Sequence, residues 1–267
     1  MATARLNGIT LSYEVHGGSG ELVVMVMGTG SPGRVWRMYQ VPALVAAGYR
    51  VATFDNRGIP PTDECADGMT MDDLVADTAA LIGHLGGPAR VVGTSLGARV
   101  VQELALARPD LVTHAVAMAA HARLDRTQLL MRDGKRALHD EKIVLPPAYY
   151  AAAHAVQSLS PATLRDPDTA RDWLEVFALS GSAITPGIRA QLDVTEEGDR
   201  RHAYRAITVP TLVIGFADDA TLPVHLSREV AEAIPGARYA EIPDAGHLGY
   251  LERPDEVNRV LLDFLAG

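Results

Sequence analysis

The stretch ARVVGTSLGARVV at residues 89–101 contains a Gly-x-Ser-x-Gly motif, with Ser95 between Gly93 and Gly97. An apolar run of strand type precedes the motif and a helical run follows it, which is the setting of a nucleophile elbow. Such a turn would expose the Ser95 hydroxyl above the end of a sheet and open the N–H of Leu96 toward an oxyanion. The motif therefore predicts a serine nucleophile for acyl transfer.

A serine nucleophile needs a general base and a group that orients this base. Of the nine histidines, His247 in DAGHLGYLERP follows a late apolar run and a glycine, and it is the predicted base. His121, directly after the apolar run THAVAMAA, is the nearest competitor. The segment TLVIGFADDATLP ends another apolar run with Asp218 and Asp219, either of which could hold the imidazole tautomer.

An earlier loop, GTGSPG, has a competing interpretation. Gly28, Gly30 and Gly33 follow an apolar run with the G-x-G-x-x-G spacing of dinucleotide-binding loops. Asp55 lies 22 residues after the third glycine, where a ribose-binding acid is expected. Pro32 fits poorly before a glycine that should open a helix. Because nucleotide binding would also leave the serine motif without a role, we expect the loop to serve a serine enzyme.

Apolar strand-like runs alternate with helical runs along most of the chain. They are rich in Val, Ile and Ala without polar alternation, which is typical of strands covered on both faces. A hairpin is predicted at Asn7-Gly8. The alternation predicts an α/β fold with a mostly parallel central sheet and helices on both faces. Residues 122–205 lack a convincing strand run and predict a helical cap, inserted into a core domain of residues 1–121 and 206–267.

The chain resembles the α/β-hydrolase fold superfamily, in particular capped members such as the cofactor-free bromoperoxidase-like esterases. The resemblance rests on GTSLG at 93–97, GFADD at 215–219, DAGH at 244–247 and FDNRG at 54–58. It implies the α/β-hydrolase fold with its triad in the chain order Ser, Asp, His. It also implies that the reaction needs no cofactor and no metal ion.

In that family the acid stands three residues after the glycine of a G-x-x-D motif, which implies Asp218 as the third member of the triad. Pro223 lies one residue later than the family's usual spacing, and this keeps Asp219 open as the alternative. The sequence also indicates structural contacts for Asp55 and Arg57, which follow the strand-like run YRVATF.

The family's oxyanion loop, usually His-Gly-x, corresponds here to Met27-Gly28-Thr29. The backbone N–H of Thr29 would then be the second oxyanion donor, beside that of Leu96. Glycine at the middle position lets the backbone pass close to the substrate carbonyl. Met27 replaces the usual histidine at a position that mostly braces the loop.

A substrate pocket is expected between the loops and the cap. The residues predicted to line it are Gly28, Trp36, Tyr149, Tyr150, Trp173 and Phe177. For the aromatic residues, packing inside the cap is an equally good interpretation.

The resemblance implies hydrolysis of a carboxylester, lactone or thioester of a small organic molecule, of the kind met in secondary metabolism. The reaction would be esterase-like and would pass through an acyl-enzyme. A serine nucleophile is also compatible with hydrolysis of carbon–carbon bonds next to a ketone. The alternative is a non-hydrolytic biosynthetic enzyme, such as a cyclase, dehydratase or acyl transferase, or a ligand-binding protein with the same fold.

Composition limits the partners. The 267 residues carry a formal net charge of −9 without a basic run, which argues against nucleic acids and anionic membranes. A single cysteine excludes an intrachain disulfide and a thiolate metal cluster. No apolar stretch approaches the length of a membrane span. The sequence thus predicts a cytoplasmic protein with a small-molecule substrate and no nucleic-acid or membrane partner.

Overall fold

An eight-stranded sheet forms the centre of the computed structural model, which describes residues 1–194 and 198–267. The strands are β1 (Ala2–Leu6), β2 (Ile9–His16), β3 (Leu22–Val26), β4 (Arg50–Phe54), β5 (Ala89–Thr94), β6 (Val112–Met118), β7 (Thr211–Phe216) and β8 (Arg238–Ile242). Their order across the sheet is β1-β2-β4-β3-β5-β6-β7-β8. β1 and β2 form the hairpin expected at Asn7-Gly8, and β2 runs antiparallel to β4. The remaining neighbours pair in parallel.

Helices cover both faces of this sheet. The helices of the described chain are a 3-10 helix (Gly33–Met38), α1 (Gln40–Ala46), α2 (Met71–His84), α3 (Leu96–Ala107), α4 (Arg126–Asp140), α5 (Pro147–Ser158), α6 (Pro161–Arg165), α7 (Pro167–Ser180), α8 (Pro186–Asp193), α9 (Arg201–Tyr204), α10 (Val224–Ala233), α11 (Gly249–Glu252) and α12 (Pro254–Leu265). One face of the sheet packs against α2, α3 and α10, through core residues that include Leu74, Val100 and Val230. The other face packs against α1 and α12, through Leu44 and Leu261. The predicted α/β fold is confirmed. Among the described helices, none combines the length and apolar character needed to cross a bilayer.

Helices α4 to α9 lie between β6 and β7, in the interval where the sequence predicts a helical cap. The described residues of this interval contain no strand. We call residues 126–194 and 198–204 the helical segment. It has a small apolar core of its own, formed by Ala151, Ala155, Leu159 and Phe177. The division of the chain into a cap at 122–205 and a core of 1–121 and 206–267 stays a prediction.

The carboxyl ends of β3, β5, β6, β7 and β8 meet at one edge of the sheet, which we call the carboxyl edge. Hydrogen bonds between the loops continue the strand pairing past the strands themselves. The N–H of Ser95 donates to the carbonyl of Met118 at 3.0 Å, and the N–H of Asp218 donates to the carbonyl of Ala245 at 2.9 Å. Backbone pairing therefore brings the serine loop, the aspartate loop and the histidine loop together.

Candidate active site

Ser95 lies at the junction of β5 and α3 with φ 55° and ψ −118°. This left-handed backbone is costly for a residue other than glycine and is typical of functional turns. The turn is tight enough that a Cβ at Gly93 would overlap the carbonyl of Gly97, and a Cβ at Gly97 would overlap the carbonyl of Val26. Both glycines of the motif are thus required by close backbone contact. The strand, tight turn and helix that a nucleophile elbow needs are present, and the nucleophile role of Ser95 stays a prediction.

His247 joins the serine to an aspartate. Its Nε2 lies 3.1 Å from Ser95 Oγ, and its Nδ1 lies 2.7 Å from Oδ2 of Asp219. If Nδ1–H donates to the carboxylate, Nε2 is left as the acceptor for the serine hydroxyl proton. This tautomer is the one that general-base catalysis requires.

Asp219, and not the predicted Asp218, contacts the imidazole. The Asp219 side chain is only 1% exposed, and its Oδ1 accepts the N–H groups of Thr221 at 2.8 Å and Leu222 at 2.7 Å. Asp218 is exposed, and its N–H donates to the carbonyl of Ala245 in the histidine loop. The N–H of Asp219 closes a turn on the carbonyl of Phe216 at 3.3 Å. The assignment of Asp218 as the partner of His247 is therefore wrong. The displaced Pro223 was the correct signal, since it lies four residues after Asp219.

The predicted oxyanion donors border the serine. Gly28 passes so close that a Cβ there would lie 3.2 Å from Ser95 Cβ. Across residues 1–194 and 198–267, the N–H groups of Thr29 and Leu96 have no hydrogen-bond acceptor. Leu96 opens α3, where the first N–H groups of a helix are unpaired and favour negative charge. Both groups are thus available to a ligand, and their oxyanion role stays a prediction.

Two side chains of the loop after β4 brace the oxyanion loop. Asn56 donates to the carbonyl of Met27 at 2.9 Å, and Asp55 accepts the N–H of Gly33 at 2.8 Å. Burial raises the pKa of Asp55. Asp55 is thus a structural brace, as the sequence indicated, and the ribose-binding interpretation is not supported.

Gln191 of α8 is a further brace that the sequence did not predict. This fully buried amide accepts the N–H of Gly30 at 2.9 Å and donates to the carbonyl of Arg57 at 2.8 Å. Arg57 in turn binds Asp77 with two contacts of 2.6 Å. A glutamine within the predicted cap has no local pattern that reveals a contact 161 residues away. Its role depends on tertiary packing alone.

The predicted pocket residues separate into different environments. Trp36 is fully buried and packs on Tyr250 with ring centroids 4.9 Å apart. Tyr149 is 63% exposed. Neither fits the pocket prediction, because the first is enclosed by core residues and the second is largely in solvent. Trp173 packs on Phe177 at 5.5 Å inside the helical segment, as the packing interpretation expects.

Tyr150, the remaining aromatic residue of the predicted pocket, stacks on a histidine that the sequence did not single out. Its ring lies 5.4 Å from that of His154, and His154 meets Phe177 edge-on at 4.5 Å. Burial lowers the pKa of His154 to about 4, with smaller effects of Lys135 and His247. His154 is therefore a neutral ring at pH 7, enclosed by aromatic side chains of the helical segment.

His121, the competing candidate base, lies just past β6 at the carboxyl edge. Burial, with smaller effects of Arg99 and His247, lowers its pKa to about 3. Its Nδ1 is buried without a hydrogen-bond partner in the described part of the chain. Since His247 and not His121 contacts Ser95, the geometry favours His247 as the base.

Comparison with known proteins identifies the family of this chain. The chain belongs to the alpha/beta hydrolase family, because the model of that family matches residues 15–260. It is 49% identical over 259 residues to the Mycobacterium tuberculosis protein named "Putative non-heme bromoperoxidase BpoC", covering 97% of this chain and 98% of that protein. The serine elbow, the histidine and the sheet order are features of this hydrolase fold.

Solved structures show the same architecture. The crystal structure of the BpoC protein from strain H37Rv has a TM-score of 0.92 and 49% identity, covering 96% of this chain and 95% of that one. The enol-lactonase from Burkholderia xenovorans LB400 has a TM-score of 0.83 and 26% identity, and the alignment covers 100% of both chains. The fold is thus that of the α/β hydrolases, as predicted.

Proposed function

We propose that this protein is an esterase-like serine hydrolase with Ser95, His247 and Asp219 as its triad. The observation that carries the proposal is the continuous chain of contacts from Ser95 Oγ through His247 to the buried Asp219 carboxylate. The strained backbone of Ser95 is a second observation, since strain of this kind persists where function requires it.

The proposed reaction is acyl transfer from a carbonyl substrate to water, through Ser95 and His247. His247 Nε2 takes the hydroxyl proton of Ser95 as the oxygen attacks a carbonyl carbon. The N–H groups of Leu96 and Thr29 stabilise the oxyanion that forms. His247 then gives the proton to the leaving group, and the acyl-enzyme remains. Water, deprotonated by the same imidazole, releases the acid and restores Ser95, while Asp219 holds the ring and stabilises its charged form.

The substrate class we propose is a carboxylester, lactone or thioester of a small organic molecule. The similarity to an enol-lactonase supports an acyl substrate of this kind. A relative in Variovorax paradoxus, 30% identical and covering 96% of this chain, is named as a carbamate hydrolase, which also implies attack at a carbonyl. We expect the protein to act in the cytoplasm, without a nucleic-acid or membrane partner.

Labelling with a fluorophosphonate probe, read by intact mass, tests the activated serine. We expect one adduct on the wild-type protein and none on Ser95→Ala. Ser180→Ala is the matched control, because Ser180 is an exposed serine whose hydroxyl donates within α7. Labelling should be followed by a panel of esters, lactones and thioesters. An adduct that persists in Ser95→Ala, or a folded wild type inert to both the probe and a small sulfonyl fluoride, would contradict the proposal.

A further inference from the structure

The turn that joins α5 to α6 supports the loop that carries the candidate base. We call residues 157–160 the α5–α6 turn and residues 243–248 the histidine loop. The N–H of Leu248 donates to the carbonyl of Ser158 at 3.0 Å. On the other side of the base, a Cβ at Gly246 would lie 2.6 Å from the same carbonyl oxygen, so the two backbones touch there. The residues before and after the base are thus both in contact with the α5–α6 turn.

A carboxylate strengthens this contact. Glu252 ends α11, the short helix that follows the histidine loop, and its side chain returns to that loop. Its Oε2 accepts the N–H of Gly246 at 2.6 Å, and its Oε1 accepts the N–H of Ser160 at 2.8 Å. Hydrogen bonds to an ionised carboxylate are stronger than those between neutral groups. Glu252 therefore links the histidine loop to the α5–α6 turn through both of its oxygen atoms.

The carboxylate of Glu252 acts on backbone groups. Across residues 1–194 and 198–267, no basic side chain forms an ion pair with it. Other glutamates of the chain pair with arginines, as Glu241 does with Arg228 at 2.6 Å. Because Gly246 directly precedes His247, a displacement of the Gly246 N–H carries the imidazole with it. The hydrogen bond from this N–H to Glu252 therefore bears on the position of the base.

The α5–α6 turn also holds the aspartate loop, residues 217–222. The Thr221 hydroxyl donates to the carbonyl of Gln157 at 2.9 Å, and the Thr221 N–H donates to Oδ1 of Asp219 at 2.8 Å. Oδ2 of Asp219 in turn lies 2.7 Å from Nδ1 of His247. One turn of the helical segment therefore contacts both loops whose side chains meet at the imidazole.

We propose that Glu252 is a positioning residue, which holds His247 against its two partners by fixing the histidine loop to the α5–α6 turn. This inference rests on the proposed hydrolase function and adds a residue to it. The 3.1 Å between His247 Nε2 and Ser95 Oγ lies at the long end of the hydrogen-bond range, so a small shift of the loop breaks this contact. A misplacement of about 1 Å can cost about 100-fold in rate. A residue that touches no substrate can thus control kcat.

The first test removes the carboxylate. Glu252→Ala should lower kcat for 4-nitrophenyl acetate by about 10- to 100-fold and leave KM nearly unchanged, because the imidazole is displaced while no substrate contact is lost. Labelling of Ser95 by the fluorophosphonate probe should slow by a similar factor. Glu252→Gln should recover part of the rate, since its amide oxygen can accept one of the two N–H groups. Glu256→Ala is the matched control, because Glu256 is exposed on α12, and it should keep the wild-type kcat.

A second pair of variants tests the other end of the link. Ser160 has φ −70° and ψ 153°, which proline can adopt, and Leu159 before it is extended, as a following proline requires. Ser160→Pro removes the N–H that donates to Glu252, whereas Ser160→Ala keeps it. Both changes remove the hydroxyl that caps α6, so the loss of the cap cancels in the comparison. We expect kcat of Ser160→Pro to be several-fold below that of Ser160→Ala.

Proton NMR separates positioning from a loss of structure. The Nδ1–H of His247 that is bonded to Asp219 should give a signal far downfield, identified by its absence from His247→Gln. In Glu252→Ala we expect this signal to be shifted or broadened, while the circular dichroism spectrum remains that of the wild type. If Glu252→Ala does not fold, Glu252→Gln replaces it in every assay.

The proposal would be overturned if Glu252→Ala kept the kcat and the downfield signal of Glu256→Ala. A loss of kcat with an unaltered signal, and with equal rates for Ser160→Pro and Ser160→Ala, would also overturn it, because Glu252 would then act on stability alone. Its failure is distinguishable from that of the hydrolase function. If the wild type turned over no ester and took up no label, the NMR comparison would still decide whether Glu252 holds His247 on Asp219.

Discussion

Polar side chains at the carboxyl edge of the sheet and polar side chains in the helical segment differ in their hydrogen-bond and ion-pair partners. At the edge, Asp219 is held by two backbone N–H groups and itself holds His247. In the segment, Lys135 and His154 have neither an ion pair nor a hydrogen bond among the described residues. The edge is therefore organised before the substrate arrives, which is what electrostatic catalysis requires. The segment instead contributes single side chains and carbonyl groups that contact the loops of the edge, such as Gln191 on Gly30.

The largest effect is expected from the acid of the triad. Asp219→Asn should lower kcat by about 10⁴-fold, since an amide no longer favours the required tautomer of His247. Asp218→Asn is the matched control and should retain nearly the wild-type rate, because its side chain is exposed. Steady-state kinetics on one activated ester would measure both. A dead Asp218→Asn beside an active Asp219→Asn would reverse the assignment and restore the sequence prediction.

The two aspartates also show what a sequence can predict about this site. Local patterns predict Ser95 and His247, because the elbow glycines and the late histidine loop are short-range features. The structure brings these two side chains together at 3.1 Å. The choice of acid depended on where the chain leaves the β7–β8 pairing, which is a tertiary property. The family motif pointed to Asp218, whereas the spacing to Pro223 reported the longer turn.

For the helical segment, the sequence predicts that helices are present but not which residues they contact. Alternating strand and helical runs predicted the sheet correctly, because their periodicity reflects burial on both faces. A helical insertion was predictable from the lack of strand runs in 122–205. The contacts of Gln191 and His154 were not, since they depend on how the helices of the segment pack and no local spacing encodes that.

A second prediction concerns stability at the edge. Asp77→Ala should lower the free energy of unfolding by about 3–5 kcal/mol, because it leaves the buried Arg57 without its main partner. The two side chains are 1% and 8% exposed. In the helical segment, Asp168→Ala breaks the exposed pair with Arg171 and should cost no more than about 1 kcal/mol. Denaturant unfolding measures the free energy of unfolding of both variants. Equal losses would contradict the expectation that the buried pair contributes more than the exposed pair.

A third prediction uses the two buried histidines, His121 at the edge and His154 in the segment. Their pKa values of about 3 and about 4 lie below the ordinary 6.5, so the unfolded protein binds more protons between these values. Stability must therefore fall as the pH drops from about 6.5 toward these values, by at most about 1.4 kcal/mol per pH unit for each histidine.

Replacing either histidine removes the contribution of that histidine to the pH dependence of the free energy of unfolding. His121→Phe and His154→Phe should each unfold with a shallower slope of stability against pH between about 4 and 6.5 than the wild type. His202→Phe is the control, because His202 is exposed, and it should keep the wild-type slope. Slopes that match the wild type in both buried-site variants would mean that these rings are already charged in the folded protein.

The smallest effect is expected where the two regions meet. Gln191→Leu removes the hydrogen bonds from the segment to Gly30 and Arg57 and introduces an apolar side chain of similar size. We expect kcat/KM to fall about 10-fold, as for unpaired buried groups, because the oxyanion loop loses one of its braces. Gln157→Leu alters the same segment at a half-buried side chain and should change the rate little. If Gln191→Leu is fully active, Asn56 and Asp55 suffice to hold the loop.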